Sequence, residues 1–391
     1  MSRPRGQMRA LTVPVALLTA LILAIVPAHS FAQQTDAVES PVVRSDEEAV
    51  AEQVELPEEF DPGFWPTAAA VFPGVLFHGS GLWLAGADDA AYEVARVQAI
   101  GLVTTTLSLV GVYATGASED TIGLFAYPGL VGVSAFVMPW FADIYGSSVG
   151  GRTASARQAL APIEARAGYM YVHDPVFDYD HFTYAEAEVR LEPVRLVPKA
   201  WISLDNDNQQ LRFEGIGRLF GPRAGERATR PDGSFLDLEG AVTYHSFEEG
   251  FKSLVVESSL AGRYDLRRLS PVLQGSFYEL SLGLGGQFFG YDAPDAELGE
   301  DLSALLLMET AFGVYFGPSA DRYGEAKVYY DHRHDGFVRG LGLASQVDGV
   351  MGHVGAEGFF YLGDNWGAFA DFKAGSTYTA MGGLTFRYGG N

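Results

Sequence analysis

The chain has no cysteine. For an exported protein that excludes a disulfide scaffold, and thiol catalysis and cysteine-based metal sites go with it. Positive charge is scarce as well: 26 Lys and Arg face 49 Asp and Glu over 391 residues, a formal net charge of −23. Nucleic-acid phosphates demand a basic face, so nucleic acid is excluded as a partner. No G-x-S-x-G elbow occurs in a strand–helix context, and no EF-hand loop is present. Charge vanishes altogether over three long stretches: 63–87 between Asp61 and Asp88, 97–118 between Arg96 and Glu119, and 121–142 between Asp120 and Asp143.

What is present begins with a leader. Arg3, Arg5 and Arg9 precede the apolar run ALTVPVALLTALILAIVP, and SFA stands before Gln33. This reads as a secretory signal peptide over residues 1–32. Residues 33–62 are acidic and nearly free of aromatics, which predicts a flexible tether with room for a short helix over 45–55. Residues 63–150 then form a hydrophobic helical region. Each uncharged stretch reaches the ~20 residues that a helix needs to cross a bilayer. Pro66, Pro73, Pro128 and Pro139 interrupt the first and third, and a proline inside a helix kinks it. The expectation is a kinked helical subdomain lying against a barrel wall or at its periplasmic mouth. The segment FPGVLFHGSGLWLAG (72–86) resembles the P-G-x-G-aromatic-x-x-G openings of small bacterial integral-membrane modules, which implies a membrane location.

From about residue 166 the texture changes to segments of 8–15 residues split by Gly, Asp, Asn and Pro. In 277–292, Tyr278, Leu280, Leu282, Leu284 and Phe288 share one parity, and Glu279, Ser281, Gly283, Gly285 and Gln287 the other. Side chains alternate faces along a strand, so one face of this strand is oily and one is not. The same pattern recurs in 235–246, 251–265 and 377–388. Thirteen windows qualify: 166–174, 182–192, 195–204, 210–219, 235–246, 251–265, 275–290, 302–316, 323–332, 336–345, 350–362, 365–374 and 377–388. Many exceed the usual ~5–6 residues of a globular strand and approach the ~9–11 of a membrane-spanning one. Aromatics mark strand ends at Phe289, Tyr291, Phe312, Tyr315, Tyr329, Tyr330, Phe359, Tyr361 and Tyr388, as interfacial girdles would require. In lipid a sheet must close, and single-chain bacterial barrels use even strand numbers. The prediction is a mainly β protein: an antiparallel transmembrane β-barrel of 12 strands (14 next) over 166–391, preceded by the α-helical region. The pattern resembles Gram-negative outer-membrane β-barrels. The resemblance rests also on the closing segment TYTAMGGLTFRYGGN, although three residues follow its terminal aromatic Tyr388. It implies an outer-membrane location.

Chemistry is thinly signalled. In YYDHRHDG, Asp331, His332, His334 and Asp335 are metal-ligand types, weighed against a hairpin loop whose Asp-Gly is a turn signal. HDPVFDYDH offers His173, Asp174, Asp178, Asp180 and His181 on the same terms. His78 sits in an apolar stretch, where a polar residue is a functional hint. Arg223, Arg227 and Arg230 in the 220–234 gap are candidates for lipopolysaccharide phosphates. No cofactor is called for. The partners expected are outer-membrane lipid and, beyond it, lipopolysaccharide phosphate or another envelope protein. Three functions fit. One is a non-catalytic barrel serving as narrow channel, anchor or envelope scaffold. Another is a lipid hydrolase using His245 or His353 from a lipid-facing strand. The last is a soluble periplasmic β-barrel binding module tethered by the helices.

Overall fold

The computed structural model describes residues 56–116, 119–151, 160–174, 181–223, 232–247, 250–291, 303–317, 322–333, 337 and 352–389. The expected signal peptide and residues 33–55 of the tether lie outside them. Twelve strands follow the helices: β1 Ile163–His173, β2 His181–Leu191, β3 Val194–Ser203, β4 Gln209–Phe220, β5 Phe235–Ser246, β6 Phe251–Asp265, β7 Ser276–Tyr291, β8 Ser303–Phe316, β9 Gly324–Asp331, β10 His353–Tyr361, β11 Trp366–Ala374 and β12 Tyr378–Tyr388. Each pairs antiparallel with the next, and β1 closes on β12 from Ile163↔Tyr388 to His173↔Tyr378. Closure leaves no strand edge with unpaired backbone groups. The window 336–345 lies outside the described residues except for Phe337, which is a loop residue.

The alternation decides which way each strand faces. On β5, Asp237, Glu239, Thr243 and His245 turn inward, and Leu236, Leu238, Val242 and Tyr244 outward. On β7 the oily parity of the sequence is the outer one; Gln287 lines the interior cavity and Glu279 pairs inside with Arg263 and Lys327. Large apolar side chains such as Leu238, Phe213, Val256 and Leu384 are exposed on the outside. Consecutive aromatics necessarily split between faces. Phe312, Tyr330 and Tyr388 point outward, whereas Tyr315, Tyr329, Phe359 and Tyr361 point inward, so these four of the expected girdle aromatics face the lumen instead. The outer girdles are completed by Trp366 against Phe386 and Phe316 stacked on Phe360 at the end bearing the chain termini. At the opposite end they are completed by Tyr171, His173, His181 and Tyr378.

Close approach constrains one position sharply. Gly313 on β8 lies directly across from Phe277 on β7, and a Cβ there would fall 2.1 Å from the Phe277 ring. The ring lies over the glycine, an aromatic covering the space a side chain would fill. Gly313→Val should therefore destabilise the barrel by about 1–3 kcal/mol through overpacking. A lowered temperature for the gel-mobility shift of the folded band would register it.

Two turns at the termini-bearing end are clamped by charge. Asp232, before β5, bonds Arg268 between β6 and β7, and also accepts from the Ser234 N–H at 2.9 Å. Burial works against ionisation of Asp232, but these bonds and the arginine outweigh it and leave its pKa lowered. The clamp is thus fully present above the ordinary carboxylate pKa and is lost as pH falls through the lowered one.

The helical region is α1 Phe64–Val71, α2 Ser80–Leu84, α3 Asp88–Ala114 and α4 Glu119–Val149. Residues 63–87 do not form one span. Phe72, preceding Pro73, is extended (φ −150°), as the residue before proline prefers, and Gly79 takes a left-handed turn (φ 93°) before α2. Helices α3 and α4 are each long and apolar enough to cross a membrane. Pro128 and Pro139 lie within α4 without ending it.

The described chain forms two compact units. One is Ile100–Val133, where small residues let the two helices approach: the Gly111 backbone lies under Phe125 and Gly132 abuts Thr105. The other joins Leu56–Ala99 to Ser134–Asn391. In it Leu82, Val94, Met138 and Tyr145 share a buried cluster with Leu273 and Phe312. Phe312 faces outward on β8, so this helical core sits on the outside of the barrel wall. Ser134 donates to or accepts from Thr310 at 2.5 Å and also bonds Tyr278, which gives two outward hydroxyls partners.

Asp143 organises the helical part of this unit. It is fully buried, and its carboxylate accepts from the N–H groups of Leu82 (2.8 Å), Gly79 (2.9 Å) and Gly81 (3.3 Å). Asp143→Ala orphans all three donors, each worth about 1–3 kcal/mol when buried unsatisfied. The expected outcome is protease cleavage within 63–87 in a barrel that still shows its heat-dependent mobility shift.

Candidate functional site: the barrel lumen

The interior of the barrel is charged and cross-linked. Arg263 on β6 reaches Glu279 on β7 (2.7 Å) and Glu325 on β9 (2.9 Å). Lys327 on β9 reaches Glu279 (2.9 Å), Glu309 (3.2 Å) and Glu357 (3.2 Å). On the facing wall Lys199 joins Glu214 (3.1 Å) and Glu186 (3.6 Å), and Arg212 joins Glu257 (2.5 Å). Lower down, Arg195 and Arg218 converge on Asp237, which is fully buried. A buried charge persists only when paired and hydrogen-bonded, and each lumen cation here serves two or more acceptors or a backbone oxygen. Glu239 differs in that the partner within reach is a hydroxyl, Ser259 Oγ at 3.1 Å.

Within this lattice lies a cavity of about 500 Å³, bounded by Glu186, Lys199, Arg212, Glu257, Lys327 and Glu357 among others. Its two ends differ. At the termini-bearing end, Phe277, Tyr315, Tyr323 and Tyr361 are packed together with exposures of 0–5%. Guanidinium groups stack on this floor: Arg263 lies 3.8 Å from the Phe277 ring centre and Arg387 4.1 Å from that of Tyr361. Cation–π contacts in a desolvated setting are worth up to about 2 kcal/mol each. At the opposite end, Phe337 enters the mouth and packs edge-on to Phe182 (4.9 Å), and Thr377 Oγ1 donates to its carbonyl at 2.7 Å.

The residues singled out by sequence fall differently. His245 and His353 both face inward, so the lipid-facing histidine of the hydrolase reading is not there. His245 Nε2 engages Asn208 Oδ1 at 2.8 Å and its ring stacks on Phe247, while the neighbouring Ser246 turns to the other face. His353 is buried edge-on to Tyr329. Asp331 lines the lumen and binds Arg333 at 3.1 Å, whereas His332 Nδ1 meets Tyr330 Oη at 2.7 Å on the outer side. His334 and Asp335 lie outside the described residues, as do Asp178 and Asp180. His173 and His181 join an outer aromatic girdle, beside Tyr378 and Tyr169 respectively. Among the described residues no three His, Asp or Glu side chains come together as a metal site. His78 is buried against Phe136 in the helical region. Arg223 pairs with Glu192 at 3.9 Å at the termini-bearing end, and Arg227 and Arg230 lie outside the described residues.

Sequence reasoning missed the lumen cations and the floor. Arg263 was visible as a cation on the wet parity of its strand, but which carboxylates it joins depends on β9 meeting β6 across the lumen. Phe277, Tyr315 and Tyr361 carried a signal: aromatics on a parity otherwise polar.

An even number of long antiparallel strands, closed on itself, with an apolar outer belt, aromatic girdles and a charged interior, is the architecture of an outer-membrane β-barrel. A barrel dissolved in water would carry its charge outside, so the soluble-module reading is set aside. No protein-family model matches the chain, and no curated protein does. Among solved structures it is similar to the KdgM porin in complex with disordered oligogalacturonate, at 7% identity and TM-score 0.35, over 58% of this chain and 99% of that one. It is also similar to the Acinetobacter baumannii outer membrane protein Omp33, at 11% identity and TM-score 0.29, over 59% and 100%. A third is the translocator domain of the autotransporter NalP from Neisseria meningitidis, at 8% identity and TM-score 0.32, over 60% and 91%. Identities and TM-scores this low transfer neither family nor function.

Proposed function

We propose that the protein is a non-catalytic outer-membrane channel of narrow bore, constricted by its aromatic floor. The observation that carries this reading is the charge-lined cavity of about 500 Å³ inside the barrel. A barrel that served only as an anchor has no need of a hollow, charge-lined interior; its wall residues would pack across the axis. Rings of charge inside a pore act on the ions that pass. The ion-pair lattice holds the lumen side chains in fixed positions, which suits a narrow path better than a wide aqueous one.

Reconstitution of the refolded full chain into planar bilayers tests this. Small, reproducible unitary steps are expected, well below those of wide aqueous pores, and growing with salt concentration. Lipid-like resistance from a chain that keeps its heat-dependent gel shift would reject the channel in favour of an anchor or scaffold.

A further inference from the structure

The helical residues 64–84 wear their apolar side chains outward. Phe64, Trp65, Phe72, Phe77 and Trp83 are each two-thirds or more exposed, and Leu76 and Leu84 join them. No charged residue interrupts 62–87 except at its edge, Asp88 following. A contiguous apolar surface of this kind on a water-soluble face would be an association hazard.

Many of the backbone polar groups of the same segment are paired with side chains of the segment itself or of α3 and α4. Trp140 Nε1 donates to the Ala70 carbonyl at 3.0 Å, Gln98 Nε2 to that of Leu76 at 2.8 Å, and Gln98 Oε1 accepts from the His78 N–H at 3.1 Å. Ser80 Oγ donates to the Ala69 carbonyl at 2.9 Å, and Asp143 takes three further N–H groups. Apolar outside with hydrogen bonds closed inside is what a hydrocarbon solvent requires of a backbone that is not one continuous helix. The barrel wall shows the same inversion, and the two surfaces are joined. The core shared by Leu82, Val94 and Met138 with Phe312 seats this segment on the outer face of β8, and Tyr145 Oη ties it to the Gln274 carbonyl before β7.

We propose that residues 64–84 form a wedge embedded in the bilayer leaflet that adjoins the termini-bearing end of the barrel. Its occupant is phospholipid acyl chain, continuous with the lipid that covers the outer belt. The helical segment thereby widens the barrel's lipid footprint on one side, at β6–β8.

The absence of native cysteine makes the test direct. Phe64→Cys, Phe72→Cys and Phe77→Cys are each labelled with an environment-sensitive fluorophore in the full chain. The protein is refolded into phosphatidylethanolamine–phosphatidylglycerol vesicles and checked for its gel shift. Leu238→Cys on the outer belt and Asp205→Cys in the turn between β3 and β4 serve as lipid and water references. Phospholipids brominated on the acyl chain should quench all three wedge positions as strongly as position 238, and aqueous iodide should quench only position 205. Iodide quenching at 64, 72 and 77, with position 238 still in lipid, overturns the wedge and points to a protein partner for that surface. Iodide quenching at position 238 as well overturns the barrel's membrane belt itself, a different failure from loss of conductance.

Discussion

Phe277→Ala combined with Tyr361→Ala should convert a low-conductance barrel into one with several-fold larger unitary steps. Both rings are fully buried in the floor, and both are held by a stacked guanidinium rather than by the backbone. Truncation removes two of the four rings that pack at the termini-bearing end and leaves Arg263 and Arg387 facing a wider opening beside Tyr315 and Tyr323. The barrel ladder is untouched, because neither side chain makes a backbone pairing. Deleting a large aromatic from a packed cluster costs about 3–5 kcal/mol, so the variant is expected to shift on gels at a lower temperature yet remain a closed barrel. Unchanged conductance in a folded double variant would mean the floor is not the constriction. The comparison with Phe337→Ala at the other mouth then locates which end limits flow.

The second large effect concerns the lattice itself. Arg263→Ala leaves Glu279 with Lys327 alone and strips Glu325 of its 2.9 Å partner, while Phe277 loses the cation above its ring. Breaking one side of a buried pair costs about 3–5 kcal/mol, because the orphaned charge remains. Refolding yield and the temperature of the gel shift should both fall. Arg263→Met combined with Glu325→Gln should recover much of that loss, since it removes the charge along with its partner. If the double change is no better than Arg263→Ala, the arginine acts by filling space and not by neutralising carboxylate.

The strands were legible because a bilayer imposes period two with little ambiguity. Windows 235–246 and 251–265 coincide with β5 and β6 to the residue. The run ALLLM within 302–316 is apolar on both parities. Leu305 and Leu307 take the inward parity, and Thr310 is an outward hydroxyl met by Ser134. The hydrolase reading failed on a parity the sequence already held: His245 shares the face of Asp237 and Glu239.

Period-two alternation and backbone hydrogen bonding are local requirements, so residues 277–292 read alone place an apolar medium on one face, and in lipid they require a closed sheet. The sequence by itself also determined the position of the helical region before the barrel, from unbroken stretches without charge. Which cation bridges which carboxylates, and that aromatics seal one end, emerged only with the closed barrel. Those depend on strands far apart in the chain meeting across a closed barrel, where register and shear, not neighbouring residues, set who faces whom.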